Sequence, residues 1–260
     1  MRGLLLGLLL LSVTMPVWAG DKIVVGTTAG ADVEIIEKAR DVAARDGLEV
    51  QIIEFSDYVR PNLALADGEI DVNSFQHQPY LDSFAAEHNL QLVAIGNTYV
   101  SPIGYFSTKI KSLDQLKDGD SLAIPNDPTN GGRSLLLLEK AGFIKLRQGS
   151  GLTATPYDVV ENRLNLKIIE VDAAQTPRSL DDVAAAAINN TFAIPAGLNP
   201  LRDSIYLEDR VSPYVNIIVS RTADRDNPVY LRFVKAYQSK EVAEFILSRF
   251  EGATVPAFDY

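Results

Sequence analysis

The sequence has no cysteine, only two histidines and a single tryptophan among its 260 residues. The absence of cysteine excludes a structural disulfide, a thiolate metal site, a cysteine nucleophile and a lipid joined to an N-terminal cysteine. A lysine-containing phosphate loop, a paired-histidine metal motif and a serine nucleophile elbow are also missing. The net charge of −10 argues against nucleic acid or an anionic membrane as a partner. We therefore expect no metal, no cofactor and no catalytic residue.

The first residues have the pattern of a secretory signal peptide. A basic Arg2 precedes an apolar stretch from Leu4 to Val13, which is too short to span a bilayer, and small residues follow. We expect residues 1–19 to be removed by cleavage after Ala19, and the alternative is a hydrophobic first helix. Export without disulfides fits a bacterial periplasm.

The remaining chain alternates between short apolar runs and helical patterns, which is typical of an α/β fold with a parallel sheet. In the first part we predict strands and helices in turn: Lys22–Thr27, a helix with Val33, Ile36, Ala39 and Ala43 on one side, Leu48–Phe55, Tyr58–Ala66, Ile70–Ser74, Pro79 to about His88, and Leu90–Gly96.

The alternation restarts after Ser101-Pro102, which predicts a second lobe. Its predicted elements are a capping box at Ser112–Gln115, a strand at Ser121–Ile124, a helix at Ser134–Ala141 closed by Gly142, strands at Lys167–Val171 and Ala186–Ile188, and a helix capped by Ser179. A strand at Tyr214–Ser220 and helices at Val229–Tyr237 and Lys240–Phe250 follow. We expect one lobe from 20–101 plus 217–260, a second from 102–216, and hinges near 98–103 and 211–217.

The run from Pro125 to Leu138 joins a turn-rich loop to an apolar helix, with Arg133 at the predicted junction. Unpaired N–H groups at a helix start and a planar guanidinium suit a carboxylate. The alternative is a simple turn whose arginine faces water.

A second glycine-containing loop, Gly26–Gly30, lies between a predicted strand and helix, and Glu54 ends the next strand. Its spacing is not the three-glycine fingerprint of a dinucleotide site, so we reject that interpretation. An exported hydrolase with His77 or His88 as its base has no further support in the sequence.

Aromatic and polar side chains recur where the predicted strands end. Ligands of open α/β sheets bind beside the carboxyl ends of strands, so these residues can converge on a cleft between lobes. Each has an ordinary structural alternative as a core, capping or turn residue. The candidates are Tyr58, Phe75, His77, Tyr80, Arg133, Asn189 and Asn216.

Several blocks in the same order closely resemble the MetQ/NlpA family of methionine-binding proteins of ABC importers. The resemblance covers essentially the whole chain after the signal peptide. Its blocks are Asp57–Val59 with Pro61-Asn62, Asn73–Asp82, Ala94–Thr98, Pro125–Leu138, Pro177–Asp182 and Ser212–Asn216.

The resemblance implies a two-lobed periplasmic-binding-protein fold, type II-like, that buries one free amino acid, usually methionine, between closing lobes. It implies that Arg133 pairs with the ligand carboxylate and that Asn189 and Asn216 make polar contacts. Tyr58, Phe75 and Tyr80 would then wall the thioether, and His77 would bind a ligand polar group or brace Tyr58. The implied partners are methionine and the importer's permease in the inner membrane, and we expect a monomer.

Two features depart from the family pattern. Many members carry an anchoring cysteine after the signal peptide, whereas this chain has Ala19-Gly20-Asp21 there, so we expect a freely diffusing periplasmic protein. The helix before Asn189 is about two residues shorter, and Asn190-Thr191-Phe192 stands where the family more often has Thr-Thr-Tyr. Another amino acid, a short peptide or a sulfur-containing anion therefore remains an alternative ligand.

Overall fold

A computed structural model of the chain describes residues 21–209 and 213–260. The predicted signal peptide and residues 211–212 of the second predicted hinge lie outside these ranges. Within them the fold is mixed α/β, as predicted, and no described helix is long and apolar enough to span a membrane.

Thirteen strands are formed by the described residues. They are β1 (Asp21–Thr28), β2 (Leu48–Phe55), β3 (Val72–His77), β4 (Leu92–Val100), β5 (Gly104–Phe106), β6 (Ser121–Pro125), β7 (Ile144–Leu146), β8 (Val159–Asn162), β9 (Lys167–Val171), β10 (Ala185–Ile188), β11 (Ser204–Leu207), β12 (Val215–Arg221) and β13 (Val255–Pro256).

Eight α-helices accompany these strands. They are α1 (Ala31–Arg45), α2 (Arg60–Ala66), α3 (Gln78–His88), α4 (Pro128–Lys140), α5 (Asn190–Ala193), α6 (Pro200–Asp203), α7 (Pro228–Tyr237) and α8 (Lys240–Phe250).

The strands form two main sheets, and with their helices these are the two lobes of the fold. The first lobe contains a six-stranded sheet in the order β13-β4-β12-β3-β1-β2. The second contains a five-stranded sheet, β11-β5-β10-β6-β9, and the β7-β8 hairpin. The chain leaves the first sheet after Val100 and returns to it at Val215, so two segments connect the lobes. The predicted residue boundaries of the lobes remain a prediction.

The first sheet is not purely parallel, contrary to the prediction. Strands β1, β2 and β3 run parallel, whereas β12 is antiparallel to both β3 and β4. The cause is the chain path, because β12 returns from the second lobe and inserts between two strands that the chain has already formed. This insertion places Asn216 opposite His77.

Each lobe has its own apolar core. The first packs α1, α7 and α8 on the sheet through Ile23, Ile35, Phe233 and Ile246, all fully buried. The second packs α4 on its sheet through residues such as Tyr105, Leu122, Leu135 and Leu138. Separate cores allow the lobes to behave as separate bodies.

Helix α4 begins six residues before its predicted start at Ser134. Asp127 is the N-cap and accepts a bond from the Asn130 N–H at 2.9 Å, with Pro128 at the first helical position. Gly131 and Gly132 lie within the helix. Both positions require glycine, because a Cβ would lie 2.7 Å from the Pro125 oxygen at the first and 2.4 Å from the Leu152 oxygen at the second. Arg133 therefore lies inside the helix and not at a loop junction.

Two predicted helix starts produce only single 3-10 turns. Ser112 caps a turn over Leu113–Gln115, and a turn over Arg178–Asp181 stands where Ser179 was expected to begin a helix. Strand β3 extends to His77, beyond its predicted end at Ser74. Phe75 and His77 are consequently strand residues, held by the sheet rather than by a loop.

Candidate functional site

A cavity lies between the two lobes. All seven candidate residues from the sequence line it, and all seven are buried. They come from the first lobe (Tyr58, Phe75, His77, Tyr80, Asn216) and from the second (Arg133, Asn189). The sequence prediction missed other lining residues, and the ones that matter below are Tyr99, Ser101, Asn130, Asn190 and Thr191.

One wall of the cavity is aromatic. Tyr58 lies 5.9 Å from Phe75 and 6.0 Å from Tyr80 between ring centroids, and Phe192 of the second lobe lies 4.9 Å from Tyr58. The Tyr80 hydroxyl donates to the Tyr58 backbone carbonyl at 2.8 Å, which fixes the Tyr80 ring. This wall is preformed and apolar, and aromatic ring edges favour contact with a thioether sulfur.

His77 uses both ring nitrogens within the protein. Nδ1 accepts from the Tyr80 backbone N–H at 3.1 Å, which caps α3. Nε2 must then carry the proton, and it donates to Asn130 Oδ1 at 3.2 Å. Burial, and secondarily the charge of Arg133, lower the pKa of His77 to about 3. His77 is thus a neutral bridge between the lobes, and it braces Tyr80 and Asn130 rather than Tyr58.

Asn130 connects this histidine to the second lobe. Its Nδ2 donates to the two Asp127 carboxylate oxygens at 3.0 and 3.1 Å, so its Oδ1 must face the other way. That oxygen accepts from His77 and from Asn189 Nδ2, the latter at 2.8 Å. Burial raises the pKa of Asp127, while its bonds to Asn130 oppose that rise. The Asp127-x-x-Asn130 spacing was the only sequence signal for this arrangement.

Arg133 is buried and already has a carboxylate partner. Its Nε donates to both Glu208 oxygens at 3.0 and 3.1 Å, and its Nη2 donates to the Ser101 carbonyl at 2.9 Å and also to Glu208. The Tyr214 ring lies 4.1 Å from the guanidinium carbon. Within the described residues Nη1 has no hydrogen bond, so it is the nitrogen free to bind a further acceptor. The sequence did not reveal Glu208 as a counter-ion, because it lies 75 residues away.

A buried carboxylic acid lies behind the cavity. Asp32, in the first turn of α1, accepts from Thr28 at 3.1 Å, from Thr191 of the second lobe at 3.1 Å and from the Tyr99 hydroxyl. Burial raises the pKa of Asp32 to about 7, although these three donors oppose the shift. Thr191 and Tyr99 line the cavity. The titratable carboxyl group of Asp32 therefore lies directly behind two lining residues.

In the ranges 21–209 and 213–260, no cluster of three or more histidine, aspartate or glutamate side chains has the geometry to hold a metal ion. The cavity itself is lined by hydrogen-bonding groups and by aromatic rings. It suits a small molecule with a polar end and an apolar end.

Comparison with known proteins identifies the family. The family model described as "NlpA lipoprotein" matches residues 23–258. The D-methionine-binding lipoprotein MetQ of Escherichia coli K12 is 53% identical over 234 residues, which cover 89% of this chain and 86% of the relative.

Solved structures agree with this assignment. A nutrient-binding protein from Burkholderia cenocepacia bound to methionine superposes with a TM-score of 0.89 at 51% identity, covering 91% of this chain and all of the other. The methionine-binding protein MetQ superposes with a TM-score of 0.90 at 52% identity, covering 92% and 99%. By their names these relatives are binding proteins, and the likeness supports the predicted two-lobed periplasmic-binding-protein fold.

The same names contradict one prediction. We expected a freely diffusing periplasmic protein, but the matching family and the Escherichia coli relative are both named lipoproteins. The expectation rested only on the absence of cysteine. That absence limits how a lipid can be attached, but it does not decide to which family the chain belongs. With 236 consecutive residues matched, from 23 through 258, this chain belongs to the NlpA lipoprotein family.

Proposed function

We propose that the protein captures methionine between its two lobes and delivers it to the permease of an ABC importer. The observation that carries this proposal is that seven residues from both lobes line one buried cavity with an aromatic wall and a polar end. The relatives named above are methionine-binding proteins or are bound to methionine.

The polar end has the groups that a free amino acid requires. Arg133 Nη1 is available to the carboxylate, and it is held in place because Nε and Nη2 are bonded to Glu208 and Ser101. The Glu208 charge neutralises the guanidinium, so a ligand with no net charge, such as a zwitterion, fits the site better than an anion. This favours an amino acid over the sulfur-containing anion.

The aromatic end suits the methionine side chain. Tyr58, Phe75 and Tyr80 enclose an apolar volume, and a sulfur contact with an aromatic ring contributes about 0.3 to 1.5 kcal/mol. The enclosed cavity also favours a single amino acid over a short peptide.

Closure follows from the placement of these groups on different lobes. A ligand that contacts Tyr58 and Arg133 together binds best when the lobes are closed, so it shifts the population toward the closed form. The protein holds its ligand without reacting with it, since His77 has both nitrogens occupied by protein partners. Recovery of chemically unchanged ligand from the complex checks this point.

Calorimetric titration of the ligand-stripped protein tests the proposal. L-methionine, D-methionine, norleucine, other amino acids, a dipeptide and sulfate form the panel. We expect one-to-one binding of methionine that is tighter than binding of norleucine. Heat from a different solute and none from methionine would assign the cavity to that solute, and transport by the reconstituted permease would test the partner.

A further inference from the structure

Asn190 is a lining residue whose side-chain orientation is fixed by its surroundings. Its Nδ2 donates to Ser101 Oγ at 2.5 Å and to the Ala253 carbonyl at 3.2 Å. A carbonyl oxygen only accepts, so the amide nitrogen must face Ala253 and Oδ1 must face away from it. Asn190 Oδ1 is buried and has no hydrogen-bond partner among the described residues.

The side chain of the neighbouring Asn189 is also held in one orientation, but by different partners. Asp127 orients Asn130, and Asn130 Oδ1 then requires a donor from Asn189, which is Nδ2 at 2.8 Å. Asn189 Oδ1 is therefore also buried, and it too lacks a partner in the part of the chain that the structure describes. Two consecutive residues of the cavity lining thus each hold an oriented acceptor without a donor.

These two acceptors fit an ammonium group on the ligand. Buried polar atoms are almost always hydrogen-bonded, so two unpaired acceptors in one lining indicate a missing donor. An ammonium group provides three N–H donors and no acceptor. Asp32 adds negative potential on this side when ionised, because its carboxylate accepts from Thr191, the residue next to Asn190. The opposite charge, on Arg133, serves the carboxylate.

We propose that Asn190 Oδ1, together with Asn189 Oδ1, binds the α-ammonium group of the ligand, which makes Asn190 a specificity-determining residue of this chain. The inference rests on the proposed capture of an amino acid. It assigns to Asn190 a contact that selects amino acids over the corresponding acids without an amino group. It also links that contact to the hinge segment, since the same amide holds Ser101.

The test compares two ligands in two variants. Methionine and its deaminated analogue, 4-(methylthio)butanoic acid, are titrated into the parent, Asn190→Leu and Ser101→Ala by direct or competition calorimetry. Leucine removes the acceptor at similar size. Ser101→Ala removes the same link to the hinge but leaves Asn190 Oδ1 in place.

We expect Asn190→Leu to reduce the preference for methionine over the analogue by at least about tenfold. We expect Ser101→Ala to change that preference by less than about twofold, whatever it does to affinity. If Asn190→Leu weakens both ligands equally, the residue has only a structural role and the inference is wrong. If the parent itself does not bind methionine, the proposed function fails instead. Where the analogue binds too weakly to be measured, the α-hydroxy analogue replaces it and the same preference decides.

Discussion

The aromatic wall of the cavity and its second-lobe wall differ in how completely their hydrogen-bonding groups are satisfied by the protein. On the aromatic wall the Tyr80 hydroxyl has a partner, and so do both nitrogens of the adjacent His77. On the second-lobe wall, Asn189 and Asn190 each keep a buried acceptor without a partner, and Arg133 keeps a nitrogen without a hydrogen bond among the described residues.

Because of this difference, we expect the two walls to contribute to binding in different ways. A wall with satisfied groups is rigid and selects shape, whereas unpaired groups gain their bonds only when a ligand arrives. We therefore expect substitutions on the second-lobe wall to reduce affinity strongly, and substitutions on the aromatic wall to change the choice among similar side chains.

The largest effect is expected for Arg133→Ala. Removal of a charge-assisted contact in a desolvated site should weaken methionine binding by about 2 to 5 kcal/mol. Calorimetry on Arg133→Ala is compared with Arg225→Ala, whose side chain is 61% exposed on the first lobe. An affinity for Arg133→Ala within about threefold of the parent would show that the carboxylate lies elsewhere.

The next effect concerns Asp32 and pH. Its pKa is raised to about 7 in the folded protein, above the ordinary 3.8, so the folded state holds the proton more tightly than the unfolded state does. This contribution to stability is fully present below about pH 4 and is lost as the pH rises toward 7.

Urea unfolding of the parent and of Asp32→Asn from about pH 4 to pH 8 measures this contribution. The free energy of unfolding of the parent should fall relative to that of the variant by up to about 1.4 kcal/mol per pH unit between about pH 4 and pH 7. Any contribution of His77 to the pH dependence is the same in both proteins and cancels in the difference. A constant difference over this range would mean that Asp32 keeps an ordinary pKa.

A smaller effect is expected on the aromatic wall. Phe75→Leu keeps an apolar surface but removes a ring, so it should reduce the preference for methionine over norleucine by about 0.3 to 1.5 kcal/mol. Titration with both ligands separates the sulfur contact from general packing, since norleucine replaces the sulfur by a methylene group. Equal losses for the two ligands would rule out a sulfur contact with Phe75.

The last prediction is that His77 does not titrate near neutral pH. Because burial lowers the pKa of His77 to about 3, its imidazole resonances should not shift between about pH 5 and pH 8. Comparison with His77→Gln assigns the resonance, since the chain has only one other histidine. A midpoint within this range would mean that the His77–Asn130 bridge opens in solution.

The sequence predicted the long elements well and chose residues that share one cavity, whereas their contacts with a ligand remain a prediction. The strands Leu48–Phe55 and Lys167–Val171 and the helix Lys240–Phe250 have their predicted bounds, because local hydrophobic patterns mark them. The seven candidates line one cavity because strand ends in an α/β fold meet at one edge.

What the sequence did not predict depends on contacts between distant residues. Strand β5 has three residues and exists through pairing with β10 and β11, which no local pattern reveals. Gly131 and Gly132 read as a loop, although their role is to let the helix approach Pro125 and Leu152. Glu208 and Asp32 were missed because their partners lie far away in the chain.

A crystal structure of the protein with bound methionine tests the central claim most directly. The proposal predicts methionine in the cavity between the lobes, with its carboxylate on Arg133 Nη1, its ammonium group on Asn189 and Asn190, and its sulfur against Tyr58, Phe75 and Tyr80. Methionine bound in the reverse orientation, or at a site outside this cavity, would contradict it.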